Sequence, residues 1–280
     1  MKTGKISILI IFGMWGLLNG EEISRGVWEK AVIGGVNMTQ TGFDNWVAGG
    51  ESAFAWQINL NFKFVQDLEK TNWSNSGKFA YGATKTGEAN MRKSVDEIKL
   101  ESVLTYKLGT VVNPFAAITG ESQFAAGFDY SAEPSTQISA FLDPGYFRES
   151  FGVGYDVREG IKTRMGLALK QTVTTDYAFP YADDVTTVAV ETLRNEVGAE
   201  SVTDISVEVS ETSRYTSKLE LFTSFKALDE TDVNWDNTLT VKVNDYIHMN
   251  LNVKVIYDKD LSAKRQIKQA MALGLNYTFI

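Results

Sequence analysis

The stretch Glu51-Ser52-Ala53-Phe54-Ala55-Trp56-Gln57-Ile58-Asn59-Leu60-Asn61-Phe62-Lys63-Phe64 alternates oily and wet side chains without a break. Phe54, Trp56, Ile58, Leu60, Phe62 and Phe64 fall on one face, and Gln57, Asn59, Asn61 and Lys63 on the other. A period of two is the signature of a β-strand with one apolar side. About ten such residues cross the roughly 25 Å apolar band of an outer-membrane barrel, and aromatics at both ends match its two interfacial girdles. Soluble sandwiches are built from shorter strands. A soluble calycin-like barrel with an apolar interior leaves the aromatics at both strand ends without a reason.

The same alternation returns along the chain. Ile98, Leu100, Leu104, Tyr106 and Leu108 oppose Glu97, Lys99, Glu101, Thr105 and Lys107, and Met165, Leu167 and Leu169 oppose Arg164, Ala168 and Lys170. Leu219, Leu221 and Phe225 oppose Lys218, Glu220 and Ser224. Val233, Trp235, Leu239 and Val241 oppose Asn234, Asp236, Thr238, Thr240 and Lys242. Ile247, Met249, Leu251, Val253 and Val255 oppose His248, Asn250, Asn252 and Lys254, and Ile267, Met271, Leu273 and Leu275 oppose Lys268, Ala270, Ala272 and Gly274. The predicted fold is all-β, a transmembrane antiparallel up-and-down barrel of about twelve strands. They fall near 31–41, 51–64, 77–87, 95–109, 115–125, 146–157, 161–174, 203–212, 216–227, 232–244, 246–258 and 266–280. An even count puts both ends of the barrel on the periplasmic side, where turns are short. Gly109–Pro114, Val157–Ile161, Glu211–Tyr215 and Asn244-Asp245 obey that rule, and Val65–Ser76 is long for its side. The strands near 77 and 115 alternate weakly, so their facing is left open. Asp183-Asp184 followed by Val188, Val190, Leu193, Val197 and Gly198 is read as a short capped helix in a long extracellular loop.

Residues 1–20 carry Lys2 and Lys5, an apolar run from Ile6 to Leu18, and then Asn19-Gly20, which reads as a signal peptide cut near Gly20. The mature barrel is then 21–280. The chain has no cysteine, so an exported protein of this composition has neither disulfides nor a lipid-bearing cysteine. With 35 acidic against 27 basic residues and a net charge of -8, a nucleic-acid partner is not expected.

Two motifs carry a family resemblance. Asn45-Trp46-Val47-Ala48-Gly49-Gly50-Glu51-Ser52-Ala53 opens the clearest strand. Val233-Asn234-Trp235, Lys242, Asn244 and Tyr246 precede Ile256-Tyr257-Asp258-Lys259-Asp260. In these the chain resembles an uncharacterised Gram-negative outer-membrane β-barrel family, a domain of unknown function of the DUF3078 type, over most of residues 28–280. The resemblance implies an outer-membrane location and a barrel fold, and no activity.

Each kind of site that would carry chemistry is missing a part. Gly49-Gly50 leads into a strand and lacks the spacing and the following helix of a phosphate-binding loop; with Gly34-Gly35 it reads as hairpin or barrel-wall punctuation. A barrel hydrolase needs a serine that a histidine can deprotonate. The single histidine reads His248-Met249-Asn250, with Asn250 in the serine's place. Lys85-Thr86-Gly87 lacks the Ser-x-x-Lys that a penicillin-binding enzyme requires. One histidine and no cysteine exclude the usual zinc sites. The acidic groups Asp183-Asp184, Asp229-Glu230-Asp232 and Asp258/Asp260 lack calcium-loop spacing and read as solvated loops. Glu51 is a lone carboxylate at the mouth. No catalytic residue, metal or cofactor is therefore expected.

What remains is the inward face. Lys63, Glu97, Lys99, Glu101, Lys107, Arg164, Lys170, Lys218, Glu220, Asp236, Lys242, His248 and Lys254 are read as lumen-lining, with Glu208 and Lys268 on the same face. A wall of both charge signs either conducts small polar solutes through water or closes on itself through ion pairs. The first reading, a narrow polar channel or binding barrel, is the leading expectation; a closed structural or surface-interaction barrel is the alternative. Outer-membrane lipid and lipopolysaccharide are the expected surroundings.

Overall fold

The computed structural model describes residues 26–43, 47, 50–131, 134–178, 190–259, 262 and 264–279. The expected signal peptide, Asn45-Trp46, Asp183-Asp184 and Asp260 lie outside them. Among the described residues there are fourteen strands: β1 Trp28–Thr41, β2 Ala53–Asp67, β3 Thr71–Thr86, β4 Arg92–Tyr106, β5 Val112–Ser122, β6 Gly127–Asp129, β7 Thr136–Ser139, β8 Gly145–Arg158, β9 Ile161–Val173, β10 Leu193–Ser210, β11 Ser213–Ser224, β12 Thr231–Lys242, β13 Ile247–Tyr257 and β14 Gln266–Thr278. Twelve of them close a single barrel in chain order, β14 pairing with β1, while β6 and β7 form a separate hairpin in the β5–β8 connection. Every neighbouring pair is antiparallel.

Register fixes which side chains point where, because residues directly opposite one another share a face. The row Ile58, Tyr81 and, further round the wall, Phe151, Leu167 and Ala199 points outward. The row Asn61, Lys78 and Lys99 points inward. Ile58, Leu100, Ile118, Phe151, Met165, Leu167, Val197, Trp235, Leu251, Met271 and Leu273 are all left exposed on the outside. An apolar exterior running round a closed barrel of strands 11–18 residues long is a surface made for lipid. Closure also satisfies the backbone, which hydrocarbon cannot do.

Both weakly alternating strands acquire a direction. Phe79 and Tyr81 on β3 face the membrane, Phe79 resting 6.1 Å from Phe62. On β5 the sense is inverted, since Phe115 and Ala117 are buried inside and Ile118 is outside. The long periplasmic turn expected at Val65–Ser76 does not exist. Most of it is strand, and only residues 68–70 join β2 to β3, closed by Leu68 N donating to the Thr71 carbonyl at 2.8 Å.

The helix reading is corrected for its second half. Leu193–Gly198 begin β10, paired residue by residue with β9 from Leu193↔Val173 to Gly198↔Ala168. The apolar spacing Val190, Leu193, Val197 imitated a helix because the lumen face here carries Glu196, Gly198 and Glu200, and the lipid face carries short Ala199 and Ser201. The ladder to β9 decides the outcome over local propensity, and β11 joins only from Gly198 onward. The first part of that segment lies outside the described residues.

Candidate functional site: the latched lumen

Inside the barrel, acidic and basic side chains from walls far apart in the ring meet in layers. In one layer Lys78 on β3 reaches Asp236 on β12 at 3.1 Å and Glu97 on β4 at 3.0 Å, while Lys254 on β13 takes the other oxygen of Glu97 at 3.1 Å. Asn252 donates to Asp236 at 2.6 Å. Strands β3 and β12 are separated by four others along the shorter way round. These bonds therefore cross the lumen. A neighbouring layer repeats the device: Lys99 on β4 bonds Glu121 on β5 at 2.6 Å and Glu220 on β11 at 2.7 Å, with Asn234 donating to Glu220 at 2.8 Å.

Glu101 takes Arg164 from β9 and Lys218 from β11, both of which also lie within 4 Å of Asp204. Toward the extracellular mouth Arg148 bonds Glu200 at 3.1 Å, and Lys170 gathers Asp232 at 2.6 Å, Asp258 at 3.4 Å and Glu196 at 3.5 Å. Phe222 is packed inside, with Arg148 and Lys170 over its ring at 5.7 and 5.4 Å, and Phe115 lies under Arg164 at 5.8 Å. Each ring screens its cation from water, which strengthens the pairs around it.

Two extracellular connections are tied down over this mouth. Asp143 is buried and accepts the backbone amides of Thr175 and Asp176 at 3.0 and 2.7 Å. Asp96 accepts those of Phe124 and Ala125 at 2.7 and 2.9 Å, and pairs with Lys93 at 2.8 Å.

The residues singled out in the sequence divide among these places. Glu97, Lys99, Glu101, Arg164, Lys170, Lys218, Glu220, Asp236 and Lys254 meet in the cross-lumen layers. Lys107 instead sits at the periplasmic rim, bonding Asp67 and the Leu68 carbonyl at 2.8 Å each. Lys242 pairs with Asp245 in the β12–β13 turn at 2.7 Å, a bond that holds the Asp245 carboxyl below its ordinary range. Lys63 is exposed beside Ser76 in register, and Lys268 donates to the Ser94 carbonyl at 3.3 Å. Glu208 pairs with Arg214 near the periplasmic end at 2.8 Å. His248 holds a buried Nδ1 that has no hydrogen-bond partner, and Asn250 accepts from Thr240. Glu51 is exposed.

Asp232 and Asp258, read in the sequence as solvated loop acids, are corrected: both close on Lys170. The sequence reading also passed over Lys78, Glu121, Arg148, Glu196, Glu200 and Asp204. Arg148 was within reach, because Phe147, Phe151 and Val153 alternate around it. Lys78 was hidden by glycine and alanine neighbours.

A closed antiparallel barrel, oily outside and ionic within, is an integral outer-membrane β-barrel protein. Residues 38–128 match a family described as a protein of unknown function, DUF3078, in agreement with the resemblance carried by the strand-opening motif. No curated protein matches. Among solved structures the chain is similar to the translocator domain of the autotransporter NalP from Neisseria meningitidis, with a TM-score of 0.40 and 10% identity over 91% of this chain and 88% of that one. It is also similar to the NanC porin (TM-score 0.39, 6% identity, 88% and 97% covered) and to an outer membrane channel from Pseudomonas putida F1 (TM-score 0.39, 14% identity, 89% and 94% covered).

Proposed function

We propose that the protein is an outer-membrane barrel for small polar solutes whose narrow lumen is latched shut at rest by ion pairs between opposite walls. The observation that carries this is the Lys78–Asp236, Lys254–Glu97 and Lys99–Glu220 set, which joins β3, β4, β12, β13 and β11 across the interior. Between the two expectations raised by the charged inner face, the bridging favours the closed state over a standing water-filled pore. A charged solute that offered its own carboxylate or ammonium to these partners would replace a pair rather than desolvate a lone charge. Exchange is therefore the low-cost way to pass. Of the three bridges, those of Lys78 are the most accessible, its side chain keeping about a third of its surface open.

Planar-bilayer conductance tests the reading. The wild-type barrel should hold a closed baseline. A charge-neutral clearance of one layer (Lys78→Ser, Glu97→Ser, Asp236→Ser and Lys254→Ser together) should produce discrete steps. A sustained open level in the wild type would overturn the latch. A folded but silent cleared barrel would leave the structural, surface-interaction reading in its place.

A further inference from the structure

The interior is not uniform around the ring. On β5 and β8–β11 the inward side chains are packed, and Phe115, Ala117, Ala168, Glu200, Val202 and Phe222 are all buried. The Lys78–Asp236 pair cuts across the lumen and sets four strands, β2, β1, β14 and β13, on its other side. Among the described residues of those four, only Asn37 and Gly274 are buried. Asn61, near the middle of β2, is exposed although its register with Lys78 turns it inward, so water reaches this part of the wall. The wall is also uncharged over a long stretch. Its inward positions are every second residue from Ala31 to Thr39 on β1, from Ala55 to Asn61 on β2 and from Ala270 to Asn276 on β14, and no acid or base falls among them. Carboxamides stand there instead, on Asn37, Gln57, Asn59, Asn61 and Asn276. Between them Gly35, Ala270, Ala272 and Gly274 project little or nothing, which leaves width beside the latch. Across the extracellular end Lys268 donates to the Ser94 carbonyl on β4 at 3.3 Å, a single bond to an uncharged group.

Resting on the reading of the protein as a barrel for small polar solutes, we infer that those solutes are uncharged and rich in hydroxyls, sugars or polyols, and that they move along this recess beside the closed latch. A carboxamide offers two donors and an acceptor without charge, which matches a hydroxyl that both gives and takes a hydrogen bond. Each water that a polyol sheds is then replaced in kind. An ion meets no countercharge on this wall and keeps the full cost of leaving water. The ion current of the latched barrel therefore stays at its baseline while a neutral solute passes.

Uptake into proteoliposomes carrying the whole barrel is the test, with radiolabelled arabinose as the neutral probe and glutamate as a charged probe of similar size. The wild type should admit arabinose about tenfold faster than glutamate. Ala272→Phe, which fills the recess from β14, should slow arabinose about tenfold, and Met165→Leu on the outer wall should leave it unchanged. Should Ala272→Phe fail to fold, Asn61→Leu keeps the width but removes an exposed amide, and should slow arabinose about threefold. Glutamate entering as fast as arabinose, or arabinose entry indifferent to both recess variants, would overturn the recess as the route and leave exchange at the ion pairs standing. Exclusion of both probes by the folded wild type would overturn the solute-barrel reading itself, and the recess with it.

Discussion

Glu101 shows what a single lumen carboxylate does. It takes two cations from different walls, Arg164 and Lys218, and its side chain is only 8% exposed. Removing the charge leaves two poorly hydrated cations without their partner, which costs about 3–5 kcal/mol for a buried pair. Glu101→Gln should therefore lower the urea midpoint of the refolded barrel markedly, and an unchanged midpoint would show that Asp204 takes over both cations. Glu149 is the opposite case. It faces outward between Ile118 and Leu169, with Phe147 and Phe151 on the same face, and its Oε2 is buried without a hydrogen bond. A carboxylate on the lipid face is destabilising in proportion to depth. Glu149→Leu should raise stability by about 1 kcal/mol, read as a higher temperature for the heat-modified shift on a gel, and a fall would reveal a polar partner outside the barrel. Glu149 could have been found in the sequence, because it interrupts the oily series Phe147, Phe151, Val153. Lys78 could not, because Ser76 and Ala80 on its face, and Gly77 beside it, carry no contrast.

Strands β8 and β9 approach each other unusually closely where Gly152 faces Gly166. A Cβ on Gly166 would land on the Phe151 carbonyl, and one on Gly152 on the carbonyl of Met165. Two side chains cannot occupy that crossing without a shift of backbone. Gly166→Val should cost about 1–3 kcal/mol by overpacking and slow refolding into lipid vesicles; an unaltered midpoint would mean that the strands separate freely there. At this scale the sequence is most legible where one face is uniformly oily, as in β2, β12, β13 and β14. It fails where the lumen itself receives an apolar group. Phe115 points inward under Arg164, so the hydrophobic pattern of β5 no longer reports the membrane side; β11 stays legible through outward Leu219 and Leu221 although Phe222 turns inward beneath Arg148 and Lys170. The start of β10 failed for a related reason: its outward face is short and its inward face glutamate-rich, and only the β9 ladder distinguishes it from a helix.

For the whole molecule, strand number, closure and the division into short turns at one end and longer connections at the other followed from alternation and turn length, since both are set by local chemistry and by the thickness of the bilayer. The pairing of charges did not follow. Which lysine meets which carboxylate depends on how far each strand is displaced along its neighbour, accumulated round the ring, and no short stretch of sequence encodes that sum. The partners are correspondingly remote: Lys78 and Asp236 stand 158 residues apart, Lys254 and Glu97 157 apart. This distance bears on how the chain enters its membrane. Until the last strand meets the first, the ionic face of the sheet has nothing opposite it, and laying it flat into hydrocarbon would strand every one of those charges. The sheet must then curl while its inner face is still wet. Insertion, curling and the making of the cross-lumen pairs become one event, and the charges travel into the bilayer as enclosed cargo.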